Sequence, residues 1–137
     1  MNMTEKQLIL LVEDDSLLLF TAEETLIDEG FEVVTATSGR LAIDEIEKDS
    51  MRFCAVITDI RLGKGQNGWD IGHRVRQLAG TMPVVYMTAD SAKEWASQGV
   101  PGSVLVQKPF VSAQLIQAVT TLINQAGMVN LGLQAGE

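Results

Sequence analysis

Basic residues are scarce: ten lysines and arginines face eighteen aspartates and glutamates, for a formal net charge of -8. Such a chain repels a polyphosphate backbone, so nucleic acid is not expected as a direct partner. Cysteine is scarcer still. Cys54 stands alone inside an apolar run, which excludes an intramolecular disulfide, suits a reducing compartment and predicts a buried small hydrophobe. No apolar run approaches the ~18 residues that span a bilayer, and no N-terminal stretch has the basic start and apolar centre of a signal peptide. The expected setting is the cytoplasm, with no membrane partner. There is no internal repeat. A length of 137 residues, 46% of them hydrophobic, fills one core, and a second folded domain is not expected.

Short apolar runs alternate with segments of helical period. Leu8 to Val12 reads as a strand buried on both faces and ends in Glu13, Asp14 and Asp15. Ser16 to Glu29 reads as a helix with Leu19, Ala22 and Leu26 inward, Asp15 or Ser16 as its cap and Gly30 as its stop. A second strand, Phe31 to Ala36, precedes a helix from Gly39 to Lys48 that buries Ala42, Ile43 and Ile46. Phe53 to Thr58 is the third strand and again ends in an acid, Asp59. Gly63 to Gly68 is a polar, Gly-rich loop, followed by a helix with Ile71, Val75 and Leu78 on its inner stripe. Val84 to Thr88 is the fourth strand, Ser91 to Gln98 allows only a short helix, and Ser103 to Val106 is the fifth strand. Ser112 to Gln125 is the last helix, packed through Leu115, Val119, Leu122 and Ile123. Residues 126–137 are Gly-rich and read as a flexible tail after a domain spanning residues 1–125.

This alternation predicts an α/β fold with a parallel sheet covered on both faces, and such sheets bind ligands at the carboxyl ends of their strands. Those ends carry Glu13, Asp14, Asp59 and Thr88, with Lys108 just after the fifth strand. Converging carboxylates repel by several kcal/mol per pair at ~4 Å, so a cation is needed. An all-oxygen ligand set favours Mg²⁺ over zinc, and Mg²⁺ pairs readily with phosphate. A metal, an ammonium and a hydroxyl around one nucleophilic carboxylate suit in-line phosphoryl transfer, which depends chiefly on positioning and charge stabilisation.

The segments LILLVEDD, VITDI, VVYMTAD and QKPF, in this order and spacing, resemble a response regulator receiver domain of the chemotaxis-regulator type over Leu8 to about Gln125. That resemblance implies a doubly wound, flavodoxin-like (βα)5 fold and a phosphorylation-dependent switch in a two-component phosphorelay rather than an enzyme. Position by position, it implies that Asp59 is the phosphoacceptor, that Asp14 and Asp59 bind Mg²⁺ directly, Glu13 through water, and that the backbone carbonyl of Arg61 completes the protein's share. Thr88 would hydrogen-bond the phosphoryl group, Lys108 would pair with one of its oxygens, and Pro109 is a candidate cis proline. The implied partners are a histidine kinase or histidine phosphotransfer protein as donor and a downstream protein target. The chain itself would be a monomer or weak homodimer.

Leu105 stands where many receivers carry an inward-swinging aromatic, which points signalling toward the short fourth helix and its loops. Leu105, Trp95 and Phe110 are the candidate switch or interface positions, although Phe110 reads first as packing and Trp95 as core or interface anchor. Asp15 reads as a helix cap, and His73 as a solvated residue on a polar face. Arg61 and Asp90, of opposite charge beside the expected phosphate, are expected to pair across its mouth. Two other classes compete: a protein-binding module that signals without phosphate, and a flavin carrier or aspartate-based phosphatase on the same fold. The first would need a degraded acidic site. A flavin carrier needs a hydroxyl-rich loop after the first strand, and the phosphatase an acid where Arg61 stands, so neither fits well.

Overall fold

A computed structural model describes the backbone of residues 7–135 and the side chains of residues 7–127. Five parallel strands, β1 (Leu8–Val12), β2 (Glu32–Ala36), β3 (Phe53–Asp59), β4 (Val84–Thr88) and β5 (Val104–Gln107), form one sheet in the order β2-β1-β3-β4-β5. Five helices connect and follow them: α1 (Ser16–Asp28), α2 (Gly39–Lys48), α3 (Gly68–Leu78), α4 (Trp95–Gln98) and α5 (Ser112–Ala135). The α/β class and the parallel sheet covered on both faces are as the alternating pattern predicts.

Strand pleating divides the core into two layers, because successive side chains on a strand point to opposite faces. Leu10 and Val12 join Ala42 and Ile46 of α2 and Ile71 and Val75 of α3 on one face. Ile9 and Leu11 join Ala22 and Leu26 of α1 and Leu115 and Val119 of α5 on the other. The central strands are therefore near-continuous apolar runs, as burial on both faces requires.

Local chemistry fixes the element ends. Asp15 caps α1 by accepting hydrogen bonds from the amides of Leu17 and Leu18, both at 3.0 Å. Gly30 leaves that helix at φ 101°, a left-handed conformation that costs a glycine little. Asn67 and Asp70 exchange reciprocal bonds in a capping box at the start of α3.

Three expectations change. Helix α5 continues to Ala135 instead of ending at Gln125, because no proline interrupts residues 126–135 and isolated glycines only weaken a helix. Residues 136 and 137 of the expected tail lie outside the described residues. Leu78 is 40% exposed, because α3 turns Trp69, Ile71, Gly72 and Val75 inward. Cys54, at the N-terminal end of β3, is half-buried against the α1–α5 layer. Its thiol is still pushed up to about 11 by burial. His73 is exposed, as expected, and its ring Nε2 lies 2.9 Å from the carbonyl of Gln98, tying α3 to the end of α4. Among the described residues, no helix is long and apolar enough to cross a membrane.

Candidate functional site

The strand order reverses direction between β1 and β3, and connections leaving these neighbours in opposite senses open a crevice at their carboxyl ends. Glu13 and Asp14 follow β1, and Asp59 ends β3. One carboxylate oxygen from each of these three acids lies within 4.8 Å of the others. Glu13 and Asp59 are buried, whereas Asp14 is exposed at the rim. Burial against the apolar sheet, two charges deep, is costly unless a cation compensates.

Lys108 supplies that charge from the far side of the sheet. Its Nζ donates to Glu13 Oε1 at 2.7 Å and lies 3.2 Å from Asp59 Oδ1, joining residues that are distant in sequence. The Lys108 amide donates to the Thr88 carbonyl at 2.7 Å, which ties its backbone to the end of β4; the Lys108–Pro109 peptide, the candidate cis proline, is cis.

The ionisation of the site reflects this balance. Burial pushes the Glu13 carboxyl up, offset only in part by hydrogen bonds from Lys108 and the Asp15 amide. Burial likewise pushes Asp59 up against the pull of the Lys108 charge. Burial opposes the charge on Lys108, but its bond to Glu13 and the charges of Asp59 and Glu13 outweigh that, so the ammonium is held more firmly than usual.

The three acids fit a hard divalent ion. Ligand oxygens around Mg²⁺ at ~2.1 Å stand roughly 3–4 Å apart, so the observed spread suits direct binding by some acids and water-mediated contact with another. The absence of nitrogen and sulfur donors from the cluster disfavours zinc.

Thr88 is buried at the end of β4, and its Oγ1 accepts hydrogen bonds from the amides of Ser91 at 2.7 Å and Asp90 at 3.1 Å. With both lone pairs engaged, its proton remains to be donated. Arg61 is exposed, and its Nε donates to Asp90 Oδ1 at 2.9 Å, the pairing that their opposite charges suggest. The loop carrying Arg61 closes on itself: the Gly68 amide donates to the Ile60 carbonyl at 2.8 Å. A Cβ at Gly68 would collide with the Asp59 carbonyl, and one at Gly39 with the carbonyl of Gln66, so glycine lets the loop lie close to both β3 and α2.

Glu13, Asp14, Asp59 and Lys108 thus meet in one place, with Thr88 and Arg61 beside them. The three candidate switch positions do not form one patch. Leu105 packs half-buried on the α2–α3 layer, Phe110 on the α1–α5 layer, and Trp95 is 37% exposed on α4. Sequence reasoning missed Ser91, which is buried, holds Thr88 through its amide and donates its hydroxyl to Asp90 at 3.1 Å. Its only sequence signal is its place three residues after Thr88, where a turn amide can reach back.

A family model described as the response regulator receiver domain matches residues 9–120. The alginate biosynthesis transcriptional regulatory protein AlgB of Pseudomonas aeruginosa is 40% identical over 94 residues, covering 68% of this chain. The chain spans only 20% of that relative's length. A solved response regulator receiver protein from Sinorhizobium medicae has 42% identity and a TM-score of 0.86 over 89% of this chain and 98% of its own. The receiver domain of a sensor histidine kinase from Pseudomonas aeruginosa, solved with a magnesium ion coordinated in its active-site cleft, has 25% identity and a TM-score of 0.76, covering 88% of this chain and 99% of its own. With most of its length inside the family match and an acidic crevice at the switch point of its sheet, the chain belongs to the response regulator receiver domain family.

Proposed function

We propose that this receiver takes a phosphoryl group on Asp59 and signals the change by protein contact. The observation that carries the reading is the convergence of Glu13, Asp14 and Asp59 on one point, with Lys108 bridging two of them. In the proposed step an Asp59 carboxylate oxygen attacks the phosphorus of a phosphohistidine on a histidine kinase or histidine phosphotransfer protein. The oxygen–phosphorus bond forms as the nitrogen–phosphorus bond breaks, and the imidazole leaves.

Asp14 and Asp59 would hold Mg²⁺ directly, Glu13 through water, with the backbone carbonyl of Arg61 completing the set. Bound there, the metal neutralises charge on the phosphoryl oxygens. Lys108 needs only a short movement from Asp59 to reach a phosphoryl oxygen, and Thr88 has a proton to donate. The product carries about two negative charges where there was one, which biases the population toward the conformation that accommodates them.

Exposed Leu18 of α1 lines a cavity of about 400 Å³ with Met87, Lys108 and Phe110, and the same helix also exposes Leu17 and Phe20. An apolar surface next to the acceptor suits docking of a donor protein. The downstream target is proposed to be a protein, since the net charge of -8 disfavours direct contact with nucleic acid. Incubation with Mg²⁺ and acetyl phosphate should add the mass of one phosphoryl group to the intact protein, and Asp59→Asn should prevent it. No gain in the unaltered protein, or an undiminished gain in the variant, removes the proposal.

A further inference from the structure

The segment from Ala89 to Ser103, which contains α4, is held at both ends by residues of β4. At its near end, Thr88 Oγ1 binds the Asp90 and Ser91 amides, and Arg61 binds the Asp90 side chain. At its far end, the Val100 amide donates to Tyr86 Oη at 3.2 Å. Trp95 joins the far end as well: its Nε1 donates to Ser103 Oγ at 3.0 Å, and that hydroxyl donates to the Val100 carbonyl at 2.6 Å.

Tyr86 and Thr88 are two residues apart on one strand and therefore face the same side of the sheet. Tyr86 is fully buried, its ring lies 4.7 Å from that of Trp69, and burial pushes its phenol up, so the hydroxyl keeps its proton. Gly72 makes room for it. A Cβ on Gly72 would occupy the place of the Tyr86 hydroxyl, so α3 has a gap where the phenol passes to reach Val100. The register partner of Tyr86 on β5 is Leu105, which has no polar atom to offer the hinge. His73 adds a second tether from α3 through the Gln98 carbonyl.

We infer that Tyr86 is a positioning residue that anchors the far end of this segment, so that release of its near end from Thr88 turns α4 and Trp95 about Val100. The trigger rests on the phosphoacceptor reading: a Thr88 hydroxyl that donates its proton to a phosphoryl oxygen is drawn toward it and away from the Ser91 and Asp90 amides, from which it accepts. The anchor does not rest on that reading. A short helix fixed at one end and latched at the other moves as a lever, whereas one loose at both ends would spread the displacement over its loops.

Two measurements on full-length Tyr86→Phe test this. Without ligand, exchange of the Val100 amide should be roughly fivefold to tenfold faster than in the unaltered protein, the effect of losing one buried hydrogen bond. With Mg²⁺ and beryllium fluoride, the Trp95 indole N–H resonance, assigned with Trp95→Phe, should shift by less than half as much as in the unaltered protein, while resonances around Asp59 respond equally. Gly72→Ala, whose methyl displaces the hydroxyl, should behave in the same way and serves if Tyr86→Phe does not fold. Unchanged Val100 exchange, or a full Trp95 shift, overturns the inference. If beryllium fluoride shifts nothing in the unaltered protein, the phosphoacceptor reading and the lever fail, while Val100 exchange still decides whether Tyr86 anchors the hinge.

Discussion

Arg61 and Asp90 approach to 2.9 Å across 29 residues of sequence, linking the loop after β3 to the loop after β4. On the phosphoacceptor reading, this pair beside the acidic crevice would hinder water from reaching a phosphoryl group on Asp59. Arg61→Ala should therefore shorten the lifetime of the phosphorylated protein several-fold, measured by loss of label after the donor is removed. The denaturation midpoint should stay the same, because both side chains are largely solvated. An unchanged lifetime would show that the pair does not restrict water.

On the proposed reading Lys108 would have two roles, which substitution should separate. Lys108→Ala should slow phosphorylation by acetyl phosphate on the order of 100-fold, the usual effect of removing one donor to a developing oxyanion. The same change removes a cation that competes for Glu13 and Asp59, so Mg²⁺ should bind more tightly. Titration with Mg²⁺ followed by Trp fluorescence or amide shifts checks the second point. Weaker binding would mean that Lys108 organises the acids rather than competing for them.

Without metal, Glu13 and Asp59 have carboxyl groups raised by burial. A raised acid favours the folded state when protonated, so its contribution is fully present below the unfolded value and is lost as pH rises through the folded value. Metal-free stability should thus decline as pH rises from the ordinary carboxylate range, and Asp59→Asn should flatten that decline. At neutral pH the variant should be more stable by roughly 1 kcal/mol, the scale of relieving one buried charge already partly offset by a neighbour. Saturating Mg²⁺ should reverse the order. The Lys108 ammonium, held above its usual value, adds stability that is lost only at strongly alkaline pH. Urea melts across pH, with Mg²⁺ or with chelator, test each of these slopes.

Asp15 adjoins the acids but serves α1. Asp15→Ala should cost about 1 kcal/mol of stability, as expected for losing an N-cap. Mg²⁺ affinity should change little, and a large loss would instead place Asp15 among the ligands.

The Cys54 thiol rises from an ordinary 9.0 to about 11. The thiolate fraction at neutral pH is then about a hundredfold below that of a free cysteine, and alkylation should slow to match. Iodoacetamide labelling in native buffer and in urea gives the comparison.

The acids at strand ends and the fold class were legible in the sequence because a parallel sheet forces apolar runs to end where loops begin. Glu13, Asp14, Asp59, Thr88 and Lys108 each occupy such a boundary. Ser91 was not legible, since its role comes from a backbone amide that any residue carries. Nor was the anchor at Tyr86, which looks like one more core aromatic until the gap at Gly72 shows where its hydroxyl goes. The exposure of Leu78 was missed for a different reason. Helical spacing gives a stripe, but the two tight glycine approaches and the bulk of Trp69 set which way α3 is rolled.

The hydrogen bond from Gly68 to Ile60 makes residues 61–67 a closed detour whose two feet are pinned together. Changes of composition or length within the detour need not be transmitted to the strand that carries Asp59. If Asp59 is the phosphoacceptor, the lifetime of its modified state and the partner recognised could therefore diverge between relatives by drift in this excursion, while the acidic cluster stays in register.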